Sequence, residues 1–179
     1  MGNHNLGWWT GQIIGVIAFS ITALGFFQKD EKKLKTLLTI SGFFWMANFW
    51  FLGAMTPFII TLVNTIRQFI SRLYHNANEE IRVKLTYLFV GINIIMGFLS
   101  WQNWVSFFPT LAATMATISL FIWDSKKMRS GLLTSEFCWT VNNLYFMNFG
   151  GLCANGLNIP LLIYHIMKKD PLTMVEKDS

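Results

Sequence analysis

Seven apolar runs separated by short polar links make up most of the chain. They cover Trp8 to Phe27, Thr36 to Leu52, Ala54 to Leu73, Lys84 to Ser100, Trp104 to Trp123, Leu132 to Phe149 and Leu152 to Met167. A helix needs roughly 20 residues to cross a bilayer core of about 30 Å, with a usual range of about 17 to 25. Each run therefore predicts one membrane-spanning helix, and the chain as a whole predicts an all-α polytopic membrane protein.

The basic residues turn this count into a topology. All fourteen Lys and Arg fall in four places. Lys29, Lys32, Lys33 and Lys35 follow the first run, and Arg67, Arg72, Arg82 and Lys84 surround the link after the third. Lys126, Lys127 and Arg129 follow the fifth, and Lys168, Lys169 and Lys177 follow the seventh. The remaining links, Gly53, Trp101–Asn103 and Gly150–Gly151, carry no charge. With seven spans every basic cluster lands on one side, which the positive-inside rule makes cytoplasmic. The N-terminus is then expected outside and the C-terminus inside. Trp8, Trp9, Trp50, Trp101, Trp104 and Tyr145 fall at the outer boundary, and Tyr74, Tyr87, Trp123 and Tyr164 at the inner one, where amphipathic rings favour the headgroup zone.

Composition agrees. Hydrophobic residues make up 53% of the chain and charged ones 13%, against roughly 25% charged in soluble domains. The net charge of +5 belongs to the four clusters and forms no basic helix face, so no nucleic-acid partner is expected. The stretch from Met1 to Gly7 lacks Lys and Arg, so the first run reads as a retained span and not as a secretory signal. Cys138 and Cys153 lie toward opposite faces and are expected as free thiols.

The chain also repeats itself. Lys32-Lys33-Leu34-Lys35-Thr36 answers Lys126-Lys127-Met128-Arg129-Ser130, and Asn48-Phe49-Trp50-Phe51-Leu52 lines up with Asn143-Leu144-Tyr145-Phe146-Met147. Trp9 matches Trp104 at a spacing near 95 residues, and Asn64 falls next to Asn158 at 94. Spans one to three thus repeat as spans five to seven. The odd span between them makes the repeats parallel, related by an axis along the membrane normal. The expected organisation is a first triple-helix unit over 1–73, a cytoplasmic loop and linker helix over 74–103, a second triple-helix unit over 104–169 and a cytoplasmic tail over 170–179.

Polar residues inside apolar runs are the candidate chemistry, because they are costly in lipid and face the bundle interior. Thr61, Asn64, Gln68 and Ser71 form one stripe of a helix, and so do Thr110, Thr114 and Thr117. Thr86, Asn93, Gly97 and Ser100 mark the fourth run. Asn48, Asn142, Asn143, Asn155 and Asn158 complete a ring of asparagines drawn from both repeats. An amide offers donors and an acceptor without charge, which suits an uncharged or zwitterionic small solute near the midplane. The expected solute contacts are Asn48, Asn64, Asn143 and Asn158, with Trp45 and Trp139 as walls. The plainer reading of each asparagine is helix–helix glue, at about 0.6 kcal/mol per contact. The plainer reading of the tryptophans is core packing, and that of Gly11 and Gly15 is a close helix crossing and not a functional role. Arg67 and Glu136 are expected to meet as an inner gate, the alternative being that each snorkels separately to the interface. His4, His75 and His165 cannot converge on a metal. No nucleophile–base pair or phosphate loop is visible. No enzyme activity and no cofactor are expected.

At this point the chain resembles a known group. The 3+1+3 parallel repeat with a short basic first loop looks like the SWEET and PQ-loop transporters, and Phe27-Gln28 before Lys29 is similar to the PQ turn of that group. The chain more closely resembles the YgjV family of bacterial inner-membrane proteins. That likeness rests on Gly11-Gln12-Ile13-Ile14-Gly15, Phe26-Phe27-Gln28, Phe51-Leu52-Gly53, Trp104 to Pro109 and Leu132 to Asn143. It implies the SWEET-like fold and the inner (cytoplasmic) membrane, with a periplasmic N-terminus and a cytoplasmic C-terminus. Prolines are where the chain departs. SWEET proteins carry one in each of four gating helices, whereas here Pro109 alone fits and Pro57 and Pro160 sit in spans three and seven. The expected function is a small-solute carrier working by alternating access. A membrane scaffold or sensor subunit and a lipid-binding protein are the alternatives.

Overall fold

The computed structural model describes residues 6–26, 31–74, 78–122 and 125–167. The Phe27-Gln28-Lys29 turn, Trp123 and the tail from residue 168 onward lie outside them. Among the described residues all regular structure is helical. The helices are α1 (Leu6–Phe26), α2 (Glu31–Phe51), α3 (Met55–Leu73), α4 (Glu79–Leu99), α5 (Phe107–Phe121, after a 3-10 turn over Trp104–Ser106), α6 (Ser125–Tyr145) and α7 (Phe149–Met167). At 1.5 Å per residue, 21 residues reach about 31 Å. By length and apolar character, two of the described helices are able to cross a membrane, over Leu6–Gly25 and Glu79–Leu99. Trp104–Ser119 and Phe149–Tyr164 are apolar but shorter.

Local chemistry sets several of these ends. Asn78 caps α4 by accepting from the Ile81 amide at 3.1 Å, and Glu79 and Glu80 lie in the first turn, where acidic groups complement the helix dipole. Asn103 and Ser106 form a capping box over the 3-10 turn, so the fifth run starts tightly wound and α5 proper begins at Phe107. The link after the sixth run lies earlier than its glycines suggest. α6 stops at Tyr145, the chain turns through Phe146–Asn148, and Gly150 and Gly151 already belong to α7.

The two halves have matching helices. α2 and α6 are both 21 residues long, and α3 and α7 are both 19. Each pair starts and stops 94 positions apart, as Glu31 to Ser125 and Met55 to Phe149 illustrate. The turns between them match bond for bond. The amides of Leu52, Gly53 and Ala54 donate to the carbonyls of Asn48, Trp50 and Phe49, while those of Phe146, Met147 and Asn148 donate to Asn142, Leu144 and Asn143. Gly53 (φ 69°) and Met147 (φ 49°) take the left-handed conformation at the same place in each turn. This offset makes Asn142, not Asn143, the counterpart of Asn48, because no residue is inserted between the basic cluster and the turn. It leaves Asn64 matched with Asn158 and pairs Trp45 with Trp139.

The principal contacts run α1–α2–α3–α5–α6–α7 and back to α1, closing a ring, with α4 against α3 and α5. Exchanging α1, α2, α3 with α5, α6, α7 maps this ring onto itself. Its interior is more polar than its exterior. Among the described residues Gln12, Asn48, Thr56, Arg67, Thr86, Asn93, Thr117, Asn142, Asn143, Asn148 and Asn155 are buried, whereas Leu6, Phe98, Leu99 and Met167 are at least 75% exposed. That is the reverse of the usual distribution in a domain surrounded by water.

Candidate functional site

The interior polar groups form two separate centres. The larger begins on α6 at Glu136, eleven residues after Ser125 and nine before Tyr145, so at mid-helix. Asn155 and Asn158, three positions apart on one face of α7, donate to its carboxylate at 2.6 and 3.2 Å. The Asn155 oxygen accepts from Asn143 at 2.8 Å, and the Asn143 oxygen from Asn148 at 3.1 Å. Asn148 donates to Asn48 at 2.8 Å and accepts from Asn48 at 3.4 Å, and Asn48 also donates to the Gly11 carbonyl on α1 at 2.8 Å. One amide chain therefore links α6, α7, the turn between them, α2 and α1.

Glycines make room for it. A Cβ on Gly15 would lie 2.8 Å from the Asn48 amide nitrogen, and one on Gly150 would lie 2.6 Å from the Gly15 carbonyl oxygen. Gly11 and Gly15 thus serve a close crossing of α1 over α2 and α7, the plainer of their two readings. Gln12 clamps the same crossing. Its amide donates to Met147 O at 2.8 Å, and its oxygen accepts from the Phe149 amide at 2.9 Å.

The smaller centre lies between α3, α4 and α5. Arg67, 4% exposed, donates to the Thr117 hydroxyl at 2.5 Å, and Asn93 donates to the same oxygen at 3.3 Å. Thr117 in turn donates to Ala113 O within its own helix. Thr110 and Thr114 do likewise, so the threonine stripe of α5 is largely satisfied along its own backbone.

Of the expected solute contacts, Asn48, Asn143 and Asn158 come together through this chain. Asn64 does not join it, and its buried amide oxygen has no partner within the protein. Trp45 and Trp139 face each other across Phe49, with ring centroids 6.3 and 5.7 Å apart in two stacked contacts, and the Trp45 indole donates to Thr22 at 3.2 Å. Arg67 and Glu136 do not meet. Each has its own neutral partners because α3 turns Arg67 toward α5 while α6 turns Glu136 toward α7. Sequence reasoning missed Gln12 and Asn148. Gln12 sits inside the Gly-x-x-x-Gly pattern, which was a usable signal, whereas Asn148 reads as the end of an apolar run. An apolar cleft of about 200 Å³ between Phe49, Trp50, Gly53, Ala54, Met55 and Gln102 holds none of the expected residues.

Polar chains buried under an apolar exterior are what lipid-embedded bundles require. The comparison with known proteins gives the setting. Residues 9–171 match the family model Imp-YgjV, described as bacterial inner membrane protein. The chain belongs to this family. Inner membrane protein YgjV of Escherichia coli is 26% identical to it over 159 residues, 85% of this chain and 84% of that protein. The expected YgjV resemblance is therefore correct, and the inner membrane is the setting in which the two polar centres act. No solved structure matches the chain.

Proposed function

We propose that the chain spans the inner membrane seven times as two parallel three-helix units joined by α4, in the 3+1+3 manner of the SWEET-like carriers. Its N-terminus is periplasmic and its C-terminus cytoplasmic, and it moves a small uncharged or zwitterionic solute by alternating access. The common 94-residue offset, the self-mapping ring of helices and the basic residues at the starts of α2 and α6 support the architecture. Exposed apolar rings and aliphatic chains are the surface that lipid would cover.

The observation that carries the solute reading is Asn142. It is fully buried, one turn along α6 from Trp139, and neither its amide nitrogen nor its oxygen has a partner within the protein. Leaving a buried amide unpaired costs about 1–3 kcal/mol per group. A solute with one donor and one acceptor would satisfy both atoms beside the Trp45–Phe49–Trp139 stack. The unpaired oxygens of Asn64, Gln68 and Asn93 are further capacity of the same kind, on α3 and α4.

A thermal-stability screen of detergent-purified protein against sugars, nucleosides, amino acids and small carboxylates tests this, with Asn142→Leu run in parallel. A ligand bound by the folded state raises the melting temperature. The leucine variant is expected to melt at or above the wild type, since an unpaired amide is replaced by an apolar group of similar size, and to lose the ligand shift. The second reading, a non-transport scaffold or sensor subunit, is favoured by the bonds among Asn48, Asn143, Asn148 and Asn155, which are spent on the protein itself. It gains if no compound shifts the wild type and Asn142→Leu is strongly destabilised. In a lipid-binding protein, added phospholipid would give the shift.

A further inference from the structure

The chain has nine acidic residues, and among the described ones Glu136 alone lies deep inside a helix. The other eight sit at helix starts, in links or in the tail. Among the described residues its surroundings carry no compensating charge. α1 and α5 contain no titratable residue. α2 confines its charges to Glu31–Lys35. α7 brings Cys153, Tyr164 and His165, and α6 itself brings Lys126, Lys127, Arg129, Cys138 and Tyr145. Among the described residues none of these pairs with Glu136, whose partners are the neutral amides of Asn155 and Asn158.

We propose that Glu136 is a proton-binding site inside the bundle, and that its protonation sets the polarity of the asparagine chain leading to α1. A lone charge within a membrane helix is costly and calls for polar partners. Two amide donors stabilise the carboxylate. A carboxylic acid needs the opposite, an acceptor for its O–H. Asparagine supplies either by turning its amide over. The present arrangement, with Asn155 and Asn158 both donating, fits the carboxylate. When a proton binds the Glu136 oxygen facing Asn155, Asn155 turns its oxygen toward it and its nitrogen toward Asn143. Asn143 must then accept from Asn155 and donate to Asn148, and Asn148 must present its oxygen to Asn143. That oxygen now accepts from the Gly151 amide at 3.2 Å and from Asn48. One proton on α6 therefore alters what holds the start of α7 against α2 and α1. The counterpart of Glu136 on α2 is Gly42, so the first half has no such group.

The test is independent of any solute and so of the carrier reading. The purified chain is placed in dodecyl maltoside, which has no carbonyl group, and infrared difference spectra are taken between acid and alkaline buffer. The expected result is one carboxylic-acid C=O band from a water-excluded site, lost in Glu136→Gln and moved in Glu136→Asp, the latter serving if the glutamine variant fails to fold. Asn143→Ala is expected to keep the band but shift its frequency and its titration midpoint, because Asn155 loses the donor that orients it. A purely structural role for Asn143 would move neither. Absence of the band in wild type at every pH where it stays folded overturns the site. So does a carboxylate band that answers sodium or potassium at constant pH, which would mark a metal-cation site. An unchanged band and midpoint in Asn143→Ala overturns the relay.

Discussion

Gly150→Ala is the most exacting test of the bundle's geometry. The new Cβ would lie 2.6 Å from the Gly15 carbonyl oxygen and 2.8 Å from its Cα, atoms of helix backbone that cannot swing aside. The Gly15 carbonyl carbon lies closer still, and ordinary contact begins at 3.4 Å, so α1 and α7 must part locally by at least about 0.8 Å. The Gln12 clamp bridges the same two elements at 2.8 and 2.9 Å, and a bond stretched by that much is no longer one. Overpacking costs typically about 1–3 kcal/mol, and two lost hydrogen bonds add about 0.5–1.5 kcal/mol each. The expected loss is therefore about 2–6 kcal/mol. Gly156→Ala, six residues along the same helix, is the internal control. Nothing lies within 4 Å of its added Cβ, so alanine should stabilise α7 by roughly 0.5–1 kcal/mol. Equilibrium unfolding in mixed micelles reads both variants side by side. If Gly150→Ala is as stable as wild type, the α1–α7 crossing described above is wrong.

Other perturbations reach different parts of the fold. Met147→Gly relieves a non-glycine left-handed residue at the place where the matching turn uses Gly53; it should raise stability by about 1 kcal/mol, read as a higher melting temperature. Thr117→Val removes the acceptor shared by Arg67 and Asn93 and should cost about 1–3 kcal/mol, measured by the same unfolding. Because Arg67 and Glu136 have separate partners, a double-mutant cycle of Arg67→Gln and Glu136→Gln should show coupling within about 0.5 kcal/mol, and a charge swap should rescue nothing. A coupling several times larger would restore the gate pair.

The number and sequence of helices were legible because each needs a long apolar run, and such runs cannot be hidden in a chain. The recurrence of helices and turns along the chain was legible for a related reason. Basic clusters, turns and aromatic residues recur at nearly constant spacing. The spacing itself was off by one at Asn48. Identity matching put it against Asn143, whereas the hydrogen bonds of the two turns put it against Asn142. Adjacent asparagines made the sequence ambiguous, and only backbone geometry separates them. Run boundaries misled at Gly150 and Gly151, which read as a link. They are small because α1 and Asn143 press against them, not because the chain bends there.

What the sequence by itself determined is therefore the all-helical class, the count and order of the described helices and the list of polar residues within apolar runs. Each of these depends on spacing along one helix or on composition, and both are local. Partner choice was decided by the tertiary structure alone. Whether Arg67 meets Glu136 or Thr117, whether Asn143 joins Asn148, and which amides remain unpaired depend on how far one helix is rotated toward the next. A hundred-degree step per residue means that one position of register sends a side chain to a different neighbour. Apolar exteriors of similar hydrophobicity leave no mark in the sequence of which rotation close packing selects.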